Sequence, residues 1–405
     1  MSTSILTQQS RMGERRDTGM IGILVILGAL SAFAPFATDM YLAGFSDIAI
    51  TLGTGVDKVQ WSLSAFFVGL AVGQLFYGPL VDRFGRRKPL LAGVFVFVLS
   101  SVLAVFAPDV ETFIGVRFLQ AVGGCSGMII SRTIIQDLSN EREAARALSL
   151  MMMIQGVGPI IAPVMGSYLL VAAGWHAVFV FLAVFGALCL ISAWKYLPET
   201  MPVEQRRSQT SGRIIRIFVI MLRRRAFIVP VLSSGFAVSS MFVFICGSPF
   251  IFINLYDISK EAYGWLFGAN AVGLIFANQL NCWLLRRFSV RSIYIGALFV
   301  NVAAGMVLLA VAGTTSLAVL VVPLFICLAT VPITGANGVA MAMAMSGRYA
   351  GSASSLVGVL QFSIIGAVST LVGILHNGTV YPMIGLILTC GVLAGGTFFL
   401  GKVRG

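Results

Sequence analysis

Gly78-Pro79-Leu80-Val81-Asp82-Arg83-Phe84-Gly85-Arg86-Arg87-Lys88 is the stretch whose reading decides the fold. It lies between two long apolar runs, 59–81 and 89–108. Charge this dense between membrane-length apolar segments has to sit at an aqueous surface. The stretch is too short for a domain, so it reads as a turn joining two spans. Gly78, Pro79 and Gly85 permit a tight reversal. Asp82 is placed to accept hydrogen bonds at a helix end, and Arg83, Arg86 and Arg87 form a basic collar. Two readings fit. One is the ordinary basic loop of a cytoplasmic membrane face. The other is a gating element, and the rest of the chain has to decide.

The 405 residues are 58% apolar and only 10% charged, with a mean hydropathy of +0.96. Soluble domains carry about 25% charged residues, so this is a polytopic membrane protein. A span needs roughly 20 apolar residues. Such windows fall at 20–42, 59–81, 89–108, 112–135, 144–171, 177–197, 226–254, 262–285, 292–312, 317–341, 351–375 and 381–401. The longest polar connection, 198–225, divides them six and six. Backbone groups in lipid must bond within their own segment, so the windows are helices. The expected fold is an all-α membrane protein of twelve transmembrane helices in two six-helix halves. The halves run 20–197 and 226–401, with a tail at 1–19, a central loop at 198–225 and a second tail at 402–405.

Lysine and arginine set the expected orientation. Loops on one side hold Arg11, Arg15, Arg16, Arg83 to Lys88, Arg142, Arg146, Lys195, the arginines of 206–225, Arg286, Arg287, Arg291, Arg348, Lys402 and Arg404. Loops on the other side hold only Lys58 and Lys260. The asymmetry places both termini in the cytoplasm of a bacterial inner membrane. It also accounts for most of the net charge of +12, so nucleic acid is not needed as a partner. The run Arg223-Arg224-Arg225 suits anionic lipid head groups.

Chemistry of other classes finds little support. The six cysteines lie in apolar runs without metal-ligand spacing and read as packing residues. Neither His176 nor His376 sits in a metal or hydrolytic motif, and there is no Walker loop. The expectation is a protein that is not an enzyme and carries no cofactor and no metal. A weak repeat strengthens a transport reading. Leu80–Arg87 after span two is echoed by Leu284–Arg291 after span eight, with Arg286 in place of Asp82 and Ser289 in place of Gly85. The same turn in corresponding places is what a duplicated transporter shows.

Charge inside a span is costly and points to function. Three residues stand out: Asp39, Arg117 and Arg132, all in the first half. At 1.5 Å per helical residue Asp39 and Arg117 come to a similar depth in the half of the bilayer away from the basic loops. An acid beside an arginine in a low-dielectric setting can take and release a proton; the competing readings are an interfacial cap for Asp39 and snorkelling for Arg117. Arg132 reads as snorkelling, with Asp137 able to meet either it or Arg86. Span five carries Gly158, Pro159, Pro163 and Gly166, which force a bend and close helix contact; the pattern is either plain packing or a hinge between halves. Phe33, Phe36, Tyr41, Phe242 and Phe250 are candidates to line an apolar cavity, with Gln120, Asn270 and Gln361 as its polar members.

These motifs carry a resemblance. Gly78 to Arg87 between spans two and three is similar to the signature loop of the major facilitator superfamily. Thr38-Asp39-Met40-Tyr41-Leu42 resembles the span-one motif of its Bcr/CflA group, the bicyclomycin-resistance type of proton-driven drug exporters. Arg117-Phe118-Leu119-Gln120-Ala121, the span-five run Gly158-Pro159 to Gly166, and Gly247-Ser248-Pro249-Phe250 are similar to further motifs of that kind. The resemblance implies a monomeric drug:proton antiporter, with Asp39 as proton site, Arg117 as its coupled partner, and Asp82, Arg83 and Arg86 latching a gate with Asp137. The chain departs from the group at Ala43, where a proline is usual, at Gln136, where a base is usual, and at Ser31, where some relatives carry a second acid. The competing functions are a dedicated nucleoside, sugar or siderophore transporter and a non-transporting membrane sensor.

Overall fold

A computed structural model describes residues 22–138, 141–201, 211–313, 316–346 and 350–401. The expected tails 1–19 and 402–405 lie outside these residues, as does 202–210 of the central loop. Every described element is helical, and ten helices are long and apolar enough to cross a membrane. One of the ten belongs to the unbroken assignment Glu141–Tyr196, far too long for one crossing. Gly174, at φ 74 and ψ 177, breaks it into spans five and six. Only glycine takes that backbone conformation freely. Span eight, Lys260–Leu284, is the other addition: its asparagines and glutamine lower its hydropathy, yet it packs among the rest. The described residues thus make twelve crossings in an all-α bundle.

Span one is segmented. Helix Phe33–Asp39 gives way to a 3-10 turn at Leu42–Gly44 and a short helix, α1, at Phe45–Thr51. Spans two, three and four are Val56–Phe84, Arg87–Val105 and Val110–Leu138. Asp109 starts span four by accepting from the Thr112 N–H at 2.7 Å, which holds its carboxyl below the usual range. Helix Ser211–Arg223 crosses what the sequence reads as a polar loop, burying Ile217 and Met221 beside Phe227 and Leu356. Span seven, Arg225–Pro249, runs on into a π-helical turn at Phe250–Leu255. Spans nine to twelve are Val290–Ala310, Leu317–Ala344, Ala350–Ile374 and Tyr381–Leu400.

The two halves meet along two seams. Span eleven turns Gly358, Gly366 and Gly373 toward Gln74, Val68 and Trp61 of span two. Span eight sets Gly264 and Gly268 against Pro163, Ile160 and Ser167 of span five. Small residues at such crossings let helices approach closely where lipid supplies no hydrophobic drive. Polar side chains stitch the second half internally: Asn337 donates to Asn281 at 2.7 Å, and Asn301 donates to Thr330 at 2.8 Å.

The opening stretch departs from its expected geometry. Gly78 and Pro79 make no reversal; span two stays helical through both and ends at Phe84. Pro79 removes one backbone bond, and the helix tolerates it near its end. The reversal rests on Gly85 alone, at φ 84 and ψ −177. The echo after span eight differs. Ser289 caps span nine, Arg287 stacks on Trp283 and Arg291 on Phe398, and no ion pair is found there among the described residues.

Candidate functional site

Asp39 closes the last regular turn of span one and is 5% exposed. Its carboxylate accepts a hydrogen bond from the Thr38 hydroxyl at 2.8 Å, and that hydroxyl also reaches the Ala34 carbonyl at 2.9 Å. Asp39 and Arg117 are the only charged residues among the described ones that are buried. Gly166 of span five lies directly on the Met40 backbone, and Gly158 lies 3.2 Å from Pro35 measured from where a Cβ would stand. Glycine at these points is what allows span five to press on span one. Pro159 and Pro163 sit in the same helix, and the Pro163 carbonyl faces Gly264 across the seam.

Arg117 is the hub of the first half. One guanidinium nitrogen donates to the Ala37 carbonyl of span one at 2.7 Å, and the other donates to Gln120. Gln120 in turn donates to Ser101 of span three at 2.7 Å. The guanidinium carbon lies 4.4 Å from the Tyr41 ring, 4.5 Å from Phe66 and 5.6 Å from Phe179. Tyr41 is held by its hydroxyl against Ser62 at 3.1 Å. Spans one, two, three, four and six therefore converge on one cation. Aromatic faces, whose quadrupoles attract cations, stand where a counter-ion would be expected.

This corrects the expected pairing. No ion pair joins Asp39 to Arg117 among the described residues. Arg117 instead meets span one at a backbone carbonyl two residues before the acid. Helix rotation decides which atoms face each other, and spacing does not give it. Ser62, Phe66, Ser101 and Phe179 complete the cage and escaped the sequence reading; single serines and phenylalanines in a span carry no distinguishing signal.

The proposed cavity residues divide. Tyr41 and Gln120 belong to the arginine cage. Phe33 stacks on Phe97 at 4.2 Å and is wholly buried, packing span one on span three. Phe36 lies 5.4 Å from Phe185 and 6.2 Å from Phe181 of span six. Phe242 crosses to the first half, edge-on to Phe67 at 4.6 Å. Phe250 meets His376 at 4.3 Å, Gln361 donates to Ser234 at 3.3 Å, and Asn270 is buried in span eight. Gln60, unremarked in the sequence, donates to the Cys246 carbonyl at 3.2 Å and so ties span two to span seven one turn before its π-helical end.

At the basic end, Arg86 gathers a polar cluster. Its Nε donates to Asp137 at 2.9 Å, and its Nη1 lies 3.5 Å from Asp82 and 3.3 Å from the Val81 carbonyl. Glu199, after span six, accepts from the Arg86 N–H at 2.8 Å and the Arg87 N–H at 3.3 Å. A carboxylate on these free amides is favoured by the helix dipole of span three. Thr200 donates to Asp137 at 2.9 Å, and the Arg87 guanidinium donates to the Trp194 carbonyl. Arg83 stays outside the cluster, exposed, over the Phe84 ring at 5.2 Å. Arg132 is exposed, and Asp137 serves Arg86. Glu199 and Thr200 were passed over because they open a polar connection. Gly85→Ala tests this knot. It demands a positive φ of a residue whose Cβ would lie 2.5 Å from the Glu199 carboxyl. We expect a stability loss of about 1–2 kcal/mol, read as a lower thermal midpoint in detergent.

At the opposite end, Lys260 of span eight pairs with Asp47 of α1 at 2.5 Å, and Ser46 donates to Asn254 at 3.3 Å. The Trp175 indole donates to Thr51 of the same short helix at 3.1 Å. Lys58 and Glu111 form an exposed pair at 3.9 Å, of a kind that contributes little.

The chain and its fold are similar to known proteins. A family model described as Major Facilitator Superfamily matches residues 24–370. An MFS-type transporter of Bacillus subtilis, YdgK, is 34% identical over 94% of this chain and 95% of its own. The bicyclomycin resistance protein homolog of Haemophilus influenzae is 28% identical over 95% of this chain and 96% of its own. The multidrug transporter MdfA of Yersinia pestis is 30% identical over 69% of this chain and 68% of its own. Among solved structures, the D-xylose-proton symporter aligns over 94% of this chain and 97% of its own with a TM-score of 0.73, at 14% identity. A bacterial homolog of the human lysosomal transporter Spinster aligns over 94% of this chain and 96% of its own with a TM-score of 0.74, at 16% identity. These last two speak for the fold alone. The family match over residues 24–370 and the 34% identity to a full-length relative, on a bundle of twelve crossings, establish that the chain belongs to the Major Facilitator Superfamily of membrane transporters.

Proposed function

We propose that this transporter exports drugs or other small organic compounds from the cytoplasm in exchange for protons. The observation that carries the reading is Asp39: a buried carboxylate at a break in span one, held by one hydroxyl and free of any ion pair among the described residues. Such a group can gain and lose a proton as access alternates. Arg117 acts on it through the span-one backbone, from a cation fixed in its aromatic cage. Asp82, Arg86 and Asp137, with Glu199, hold the cytoplasmic gate, and Gly158, Pro159, Pro163 and Gly166 form the seal between the halves. The names of the relatives, two of them tied to drug or bicyclomycin resistance, support the substrate class. The protein is read as a monomer of the bacterial inner membrane with both termini cytoplasmic.

The test is purified protein in proteoliposomes loaded with a pH-sensitive dye. Adding compounds from an antibiotic panel to one side should drive protons in the opposite direction. If no drug does so while a nucleoside or sugar does, the dedicated metabolite transporter replaces this reading.

A further inference from the structure

Spans two and three touch little along their length. Toward the basic end they leave a cleft of about 290 Å³. Tyr77, Leu80 and Phe84 form one wall, and Pro89, Ala92, Gly93 and Val96 form the other, with Lys88 the one charged residue in the lining. Its floor is the buried Tyr77 and Gly93; its rim is Leu80, Phe84 and Ala92, all exposed. Around it the surface is apolar, with Phe76 60% and Phe95 55% exposed. The cleft therefore opens to lipid, away from the seam between the halves. Pockets for drug-sized ligands run from about 300 to 1,000 Å³ and bring several convergent polar groups. This one lies at the bottom of that range, and its polar groups are a tyrosine on the floor and a cation at the mouth.

The mouth is asymmetrically charged. Lys88 is exposed, and Arg83, also exposed, lies over the Phe84 ring that lines the cleft. Neither has a carboxylate partner among the described residues. The nearby acids are committed elsewhere: Asp82 and Asp137 to Arg86, and Glu199 to the Arg86 and Arg87 amides. An apolar slot ending in cations that have no carboxylate partner among the described residues matches a molecule with an apolar tail and an anionic head.

We propose that this cleft binds one anionic phospholipid from the leaflet at the basic end. An acyl chain lies along Leu80, Phe84, Ala92 and Val96, and the phosphate is held by Lys88 with Arg83 beside it. The site is independent of the exported substrate and of the Asp39 chemistry. Its position behind the Gly85 turn makes the lipid a structural neighbour of the latch.

Native mass spectrometry of the full-length protein in detergent tests this, with phosphatidylglycerol and phosphatidylcholine of identical chains as probes. The wild type should retain one phosphatidylglycerol in clear preference to phosphatidylcholine. Lys88→Gln should cut that preference about fivefold, the effect of one cation near an anionic surface. Ala92→Trp, which fills the slot from an exposed position, should weaken both lipids. Leu80→Trp fills it from the other wall, so that misfolding of one variant does not remove the test. Val322→Trp, an equally bulky change on exposed span ten, should alter neither. Equal retention of the two lipids by the wild type overturns the proposal. So does retention that both slot-filling variants leave intact, because the cations would then act as a diffuse surface charge.

Discussion

Asp39→Asn is expected to abolish substrate-driven proton movement in proteoliposomes, by about 100-fold or more, the scale on which a positioned acid–base group acts. Asparagine has nearly the same shape and still offers an oxygen to the Thr38 hydroxyl, so the break in span one should survive. It cannot titrate. Substrate binding should persist in part, since the carboxylate is one side chain within a largely apolar environment. That separation makes the test informative: loss of binding together with coupling would mark Asp39 as a structural cap. Normal coupling in a folded variant would sink the proton role altogether, and the charge at position 39 would need another explanation.

Arg117→Ala is expected to be the most destabilising single change in the first half, on the order of 3 kcal/mol. It leaves Gln120 without its donor, removes a bond to the Ala37 carbonyl and opens a void among Tyr41, Phe66 and Phe179. Thermal unfolding in detergent reads the loss. Arg117→Lys should fall between: it keeps the charge over the rings but has no planar fork to reach Ala37 and Gln120 together. A cycle with Gln120→Ala separates the shared bond from the rest, because neighbours in one network are not additive. An alanine variant that melts like the wild type would mean the cage carries no stability, and that Arg117 is retained for function alone.

Much of the fold was legible because lipid leaves the backbone few choices. Span number followed from apolar length, and the grouping of basic loops from charge. Boundaries were less secure where one glycine replaced a loop, as at Gly174, or where an amphipathic helix such as Ser211–Arg223 looked polar in sequence. At the site, the residues were readable and their partners were not. Asp39 and Arg117 stand out as charges in apolar spans. That the guanidinium seeks Ala37 and three rings instead of the acid depends on helix rotation, which one sequence does not encode visibly. Glu199 went unnoticed for a related reason: its role is to cap another span's amides, and nothing in its own neighbourhood announces that. Phe33, named as a cavity candidate for its aromatic ring alone, stacks on Phe97, a partner that its own span does not announce.

The short helix α1 has a mechanical meaning. It is tethered three ways: Asp47 to Lys260, Ser46 to Asn254, and Thr51 to the Trp175 corner where span five becomes span six. The first two tethers reach the second half; the third, with Leu170 packed under Gly44, stays in the first. When the halves part at this end, α1 cannot follow both. It is covalently continuous with span one and pinned to the corner, so it travels with the first half as a cleat. The Asp47–Lys260 and Ser46–Asn254 contacts are the ones that let go. Seven residues of helix thus carry the ion pair and the side-chain bond that moor one half to the other there, beside the glycine contacts of the two seams.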